Sequence, residues 1–304
     1  MSKSKNISRP TLSLKSAKRL SISADDTITQ YNMPTPEPTP EPTSMPTLPA
    51  LSTLWHAAAE SVVGMAHRRM SPAMPCQDAS SATVTPRTTL IVCDGAGSAK
   101  QSHIGAQTLV QSLNRMLFAM EGLLIKWLDM PTEASFDKNL ADMIYRYAVH
   151  QMKDLGETHL RSDRDFRATL LLSVVGQQRV FWLKVGDGEL VVQTRDGTMR
   201  PLGQADKGEF ANQTVFVDTG LTFDSVQYGT LDAKDVTGLV LMSDGASERL
   251  VAHDGSRVAQ RVADFMQAMV QGKLAREQLF LFLNEAEVWQ GSTHDDKSIA
   301  LAAR

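Results

Sequence analysis

Five acidic sites along the chain share one local setting. An aspartate stands where an apolar, β-prone run begins or ends, usually beside glycine. The sites are Val92-Cys93-Asp94-Gly95, Val185-Gly186-Asp187-Gly188, Leu241-Met242-Ser243-Asp244-Gly245, Asp295-Asp296 ahead of a final run, and Asp78 ahead of Ala79. Glycine lets the backbone turn sharply and brings carbonyl oxygens close to whatever the carboxylates hold. Aspartates converging without positive partners would repel, and their pKa values would rise unless a cation neutralised them. Hard divalent ions take such oxygen-only surroundings, completed by carbonyls and water. One Asp-Gly after a strand is ordinarily a turn satisfying its own backbone. Four or five at strand termini, spread over about 220 residues, are hard to obtain from turn chemistry alone.

Other chemistries lack their residues. A cysteine phosphatase needs arginine six positions after its cysteine, and Cys93 and Cys76 find Ala99 and Ala82 there. Lys100 follows Gly95-Ala96-Gly97 at the wrong spacing for a phosphate loop, and neither G-x-S-x-G nor HExxH occurs. The two cysteines show no CxxC or zinc-like spacing and make no disulfide framework, so a reducing interior is expected. Both are expected to pack as small apolar residues beside their aspartates.

The elements that must position the aspartates can be read from periodicity. Trp55–Ala66, Ala79–Thr85 and Thr88–Cys93 read as strands. Ile104–Leu124 reads as a helix burying Leu109, Leu113, Met116, Leu117, Met120 and Leu124. A second helix, from Phe136 to about His159, buries Leu140, Met143, Ile144, Tyr147 and Met152. Ala168–Val175, Arg179–Val185 and Leu190–Thr194 follow as strands whose short connections predict antiparallel neighbours. Thr214–Val217 and Leu239–Ser243 are further strands, Ser256–Gln271 and Leu274–Trp289 helices, and Lys297–Ala302 a closing strand. The class predicted is α+β, with helices segregated onto sheet faces.

Residues 1–50 differ from the rest. They hold 8 of the 13 prolines, 15 Ser or Thr and a single aromatic, Tyr31. So little apolar surface cannot offset the entropy of ordering, so a disordered tail and linker is expected there. Residues 33–49 alternate proline with Thr and Glu, a polyproline-type spacer spanning roughly 50 Å at about 3.1 Å per residue. It could also dock a partner's aromatic groove. Residues 51–304 form the expected folded domain. The net charge of −3 offers no basic field for nucleic acid, and no run reaches membrane-spanning length. The first twenty residues are basic but no signal-type apolar stretch follows them, so a cytoplasmic location is expected.

At this point the residues resemble a known family, the metal-dependent type 2C serine/threonine protein phosphatases, in their bacterial branch. Cys76-Gln77-Asp78-Ala79 is similar to the family's first acidic motif. Asp94-Gly95-Ala96-Gly97, followed by Ser102, Gly105 and Ala106, is similar to its DGxG motif. Gly186-Asp187-Gly188 resembles its GDS motif, Ser243-Asp244-Gly245 its SDG motif, and Asp295-Asp296-Lys297-Ser298 its terminal motif. Gly208–Thr214 also resembles a segment of the bacterial branch. Five motifs stand in the right order across residues 54–304.

The resemblance implies a four-layer α-β-β-α sandwich around two central antiparallel sheets. It implies two Mn2+ or Mg2+ ions, with a weaker third, and hydrolysis of phosphoserine or phosphothreonine by a hydroxide bridging the two metals. Asp94 would bridge, the Gly95 carbonyl would complete one site, Asp244 and Asp295 would hold the second metal, and Asp78 would act close by. Asp187 and Glu248 match the third position. Asp94, Asp244 and Asp295 are thus the catalytic set. The implied partners are a phosphorylated protein substrate and a cognate serine/threonine kinase, with no nucleic acid and no membrane, for a monomer. Three positions depart from the pattern: Gln77 stands where Glu is frequent, Ala73 where arginine clamps phosphate, and Ala96 where animal enzymes carry histidine. Arg68 or Arg69 is the expected replacement clamp, and His67 or His103 could replace the histidine. The same departures motivate a competing reading, a pseudophosphatase acting as a regulatory binding module.

Overall fold

The computed structural model describes residues 54–131, 136–203 and 214–304. The expectations for residues 1–50 and for Gly208–Gln213 lie outside the described residues.

Among the described residues, ten strands build two five-stranded sheets in which every pairing is antiparallel. One sheet runs β1 (His56–Val62), β10 (Lys297–Ala303), β9 (Val236–Met242), β6 (Glu189–Thr194), β7 (Met199–Pro201). The other runs β2 (Ala79–Thr83), β3 (Thr89–Cys93), β4 (Leu170–Val175), β5 (Arg179–Val185), β8 (Gln227–Asp232). Period-two alternation assigns the faces. Leu90 and Val92 of β3 point between the sheets with Leu171, Leu190, Val192, Leu239, Leu241, Ala300 and Ala302. Ile91 and Cys93 point outward to α2 (Ser102–Ala119) and α4 (Phe136–His159), meeting Leu109, Leu113, Leu140 and Ile144. On the other sheet Val240, Met242, Ile299 and Leu301 pack outward against α5 (Asp244–Leu250), α6 (Gln260–Val270) and α7 (Arg276–Leu283). Strands covered on both faces read as unbroken apolar runs, which is why TLIVC and LLLSVV lack polar alternation. The four-layer expectation holds.

Several boundaries differ from expectation. The first β run stops at Val62, and Met65–Arg68 forms a short helical turn, α1. The Ile104 helix breaks at Met120 into α3 (Glu121–Leu124) and a π-helical turn, Ile125–Asp129. Thr214–Val217 is no strand; only Val217 pairs, in one bridge to Ala168. Met143 is exposed, because it faces away from the sheet on α4. The helix expected at Ser256 starts only at Gln260, since Val251 and Val258 bridge across the Asp254-Gly255 turn. Trp289 lies beyond α7, in a turn where its indole N–H donates to the Phe282 carbonyl at 2.9 Å.

The most consequential difference concerns β5 and β6. A three-residue link predicts pairing, yet the two strands lie in different sheets. Gly186, at φ +101°, turns the chain out of one sheet and into the other. Asp187 therefore sits where the chain crosses between the sheets.

A buried ion cluster anchors the helix layer far from these crossings. Arg87 donates to both carboxylate oxygens of Glu121 (2.8 and 3.1 Å) and of Asp129 (2.9 Å each), and to the Val175 carbonyl. Burial opposes the charge on Asp129, but hydrogen bonds from Arg87 and the Gln177 amide outweigh it and hold that carboxyl below its ordinary range. The contribution is therefore complete above the ordinary carboxylate pKa and is lost as pH falls through the depressed folded value. Arg87→Met is expected to cost about 3 kcal/mol by leaving two carboxylates unpaired. Urea unfolding at neutral pH checks the loss; the gap between variant and wild type should narrow under acid.

Candidate active site at the edge of the sandwich

The sequence-identified aspartates meet where strand ends of both sheets converge. Asp94 follows β3 directly. Its amide donates to Thr169 Oγ1 at 3.0 Å, and its carbonyl accepts the Thr169 amide at 2.7 Å. The next two amides are tied as well, Gly95 N–H to the Gln77 carbonyl and Ala96 N–H to that of Arg167. This loop is fixed on three sides before any ligand arrives. Asp78 stands just ahead of β2 and is buried. Asp244 is the first residue of α5, and its carboxylate accepts the Gly245 amide at 2.5 Å. Position 245 must be glycine, because a Cβ there would run into the Asp296 carbonyl.

The aspartates behave as one electrostatic unit. Burial pushes the Asp78 carboxyl up, and Asp296 and Asp244 add to the effect. Asp94 is raised well above its ordinary value by burial, then by Asp78, Asp244 and Asp187. Asp244 is raised by burial and, against a hydrogen bond with Asp94, by Asp187 and Asp295. Cys93 and Cys76 are raised by burial and by the same acids, so both stay thiols packed beside the cluster, as expected.

Asp187 accepts a hydrogen bond from Thr214 Oγ1 at 2.6 Å. Glu248 accepts from both the amide and the hydroxyl of Thr293, at 3.0 and 2.9 Å, which ties it to the loop carrying Asp295. Asp295 is half-exposed, and its Oδ1 accepts the Asp296 amide at 2.8 Å. Arg68 and Arg69 are both exposed, and Arg68 donates to Asn284 Oδ1 at 2.6 Å.

Asp296 plays a part that sequence reasoning did not assign. It is buried and accepts the Gly64 amide at 2.6 Å and the Gln77 amide at 2.5 Å, with His67 Nδ1 3.0 Å away. It thereby pins the segment leading to Asp78 against the loop leading to Asp295. The doubled Asp295-Asp296 was the visible signal, but only the fold shows that its second member faces backbone amides. Thr169 and Ser243 were likewise unassigned.

The donor set fits divalent cations. Among the described residues, none of Asp78, Asp94, Asp187 or Asp244 has a cationic partner. Asp78 Oδ2 is buried without any hydrogen-bond partner. His67, Asp295 and Asp296 also offer donor atoms within 4.8 Å of one another. Oxygen donors dominate, as hard ions require.

A sandwich of this architecture, with such an acidic edge, defines a class, and the family model described as Protein phosphatase 2C matches residues 63–284. The chain belongs to the protein phosphatase 2C family and is a protein serine/threonine phosphatase of that metal-dependent family. Among curated proteins it is similar to serine/threonine-protein phosphatase 3 of Escherichia coli (strain K12), 27% identical over 266 residues that cover 82% of this chain and 98% of that one. Solved structures share the fold. The catalytic domain of PstP, in complex with two manganese ions, gives a TM-score of 0.55 at 16% identity, covering 82% of this chain and 97% of that one. Stp1 from Staphylococcus aureus gives 0.56 at 14% identity, covering 86% and 99%. Among the described residues no helix is long and apolar enough to cross a membrane.

Proposed function

We propose that the acidic edge holds two divalent cations, manganese or magnesium, and hydrolyses phosphoserine and phosphothreonine in protein substrates without a covalent phosphoenzyme. Asp94, Asp78, the Gly95 carbonyl, Asp244 and Asp295 would hold the pair, with Asp94 central among them. Asp187 and Glu248 supply a weaker third position. The carrying observation is geometric: aspartates from the strand ends of both sheets gather with no cationic partner among the described residues, and Asp78 Oδ2 is buried without a hydrogen-bond partner. When bound, such a pair supplies an activated water at neutral pH and neutralises phosphoryl charge.

The protein's own groups do the rest. Thr169 fixes Asp94 from both its amide and its carbonyl, so that carboxylate is aimed before loading. Ser243 ties the ends of β9 and β10 together beside the site, its Oγ accepting the Ser298 amide at 2.9 Å. Asp296 keeps Asp78 and Asp295 in register. Each raised carboxyl must release its proton for the ions to enter, so loading is coupled to proton release. A phosphoprotein substrate requires a kinase that writes the phosphate, and a cytoplasmic monomer acting on such a protein completes the reading.

The test is release of inorganic phosphate from a phosphothreonine peptide by the full chain. Activity should appear with manganese and vanish with a chelator. Turnover that persists in excess chelator would contradict the proposal.

A further inference from the structure

We propose that Arg167 is a substrate-binding residue that grips anionic oxygens of the phosphorylated substrate at the rim of the Asp94 loop. The proposal rests on the chain acting on phosphorylated substrates, and it concerns a residue outside the acidic cluster. The backbone places it firmly. Gly95 bridges to Ala168, and Ala168 bridges to Val217. The Arg167 carbonyl accepts the Ala96 amide at 3.1 Å. Residue 167 is therefore held beside the loop that follows Asp94, with Phe216 next to it across the second bridge.

The side chain is ordered without being satisfied. Its Nη2 donates to Ser98 Oγ at 2.7 Å, and its Cζ lies 4.9 Å from the Phe216 ring centroid. Stacking on an aromatic face pre-organises a guanidinium and removes part of its water. Yet Nε is buried with no acceptor, and among the described residues no carboxylate pairs with this arginine. Three other arginines show the contrast. Arg87 binds two carboxylates, Arg276 binds Glu60, and Arg304 binds the Val236 and Ala233 carbonyls. A half-buried guanidinium with one neutral partner for five donors lacks an anion. Its planar fork matches the paired oxygens of a phosphoryl or carboxylate group. Both reach this rim on one substrate, as the phosphoryl itself or as an acidic side chain flanking it.

The experiment uses the full chain with manganese and three substrates. These are p-nitrophenyl phosphate, a phosphothreonine peptide with acidic flanks, and the same peptide with alanine flanks. Arg167→Gln should raise KM by about tenfold or more, the loss of a charge-assisted hydrogen bond, while kcat shifts by less than about threefold. Arg167→Lys should recover only part, since an ammonium lacks the fork. Melting temperature and manganese affinity should not move. A KM rise on all three substrates places the guanidinium on the phosphoryl group; a rise confined to acidic flanks places it on the neighbouring carboxylate. KM values within about twofold of wild type on every substrate would overturn the proposal, as would a KM rise matched by an equal loss of manganese affinity. Should the wild type turn over none of them, the phosphatase reading fails instead. Calorimetry with inorganic phosphate and manganese then decides: weaker binding by Arg167→Gln upholds the oxyanion site, and equal binding removes it.

Discussion

Asp94→Asn should lower manganese-dependent phosphate release by about 10³-fold or more, the scale of losing several kcal/mol of metal-assisted stabilisation. The same change should make the metal-free protein more stable. Asp94 stands among Asp78, Asp244 and Asp187 with no counter-charge, and burial with those neighbours drives its carboxyl well above the ordinary range. A neutral amide of the same shape removes that repulsion while the backbone bonds to Thr169 remain. The sign in pH follows. With Asp78, Asp94 and Asp244 all raised, the folded metal-free chain keeps protons that the unfolded chain releases. Its stability therefore falls as pH rises from the ordinary carboxylate range towards neutrality. Asp94→Asn should flatten part of that slope, and each kcal/mol recovered raises the melting temperature by about 2–4 °C for a chain of this size. Activity lost while stability is gained is the pattern of a functional site, and thermal melts with and without manganese measure it. A variant both inactive and less stable without metal would mark Asp94 as structural.

Asp296→Ala should destabilise the protein by about 2–6 kcal/mol, because two buried amides lose their acceptor at roughly 1–3 kcal/mol each. Gly64 and Gln77 both donate to this carboxylate, and His67 lies against it. Asp296→Asn keeps one acceptor oxygen and should recover part of the loss. The functional consequence follows from position. Gln77 precedes Asp78 and also accepts the Gly95 amide, so freeing it loosens both Asp78 and the Asp94 loop. Manganese affinity should fall along with stability. Urea unfolding gives the energy and calorimetry the affinity; stability within about 0.5 kcal/mol of wild type would show that the clamp carries nothing.

The two residues mark how far the sequence could be read. Asp94 was legible because chemistry and turn signals coincide, an apolar run ending in Asp-Gly. The same coincidence exposed Asp187 and Asp244, while Asp295 was visible as one of an acidic pair ahead of the last strand. Asp296 offers no such signal, since facing a metal and facing two amides look alike in a pair of aspartates. Arg167 is silent too: its setting comes from bridges between residues 95, 168 and 217 that local patterns do not encode. In the fold, strands buried on both faces announced themselves by apolar runs. β8, Gln227–Asp232, went unread because its sequence QYGTLD has no alternation and none of its residues is buried. The crossing from β5 to β6 was unreadable for a different reason. Link length predicts a hairpin, and only the positive φ of Gly186 sends the chain to the other sheet.

Calorimetric titration of manganese into the full chain, run in buffers of differing ionisation enthalpy, distinguishes a two-cation centre from a cluster of structural acids. Two ions should bind with release of protons, and Asp94→Asn should lose that binding. No binding at millimolar manganese, or binding that Asp94→Asn leaves unchanged, would contradict a two-cation centre.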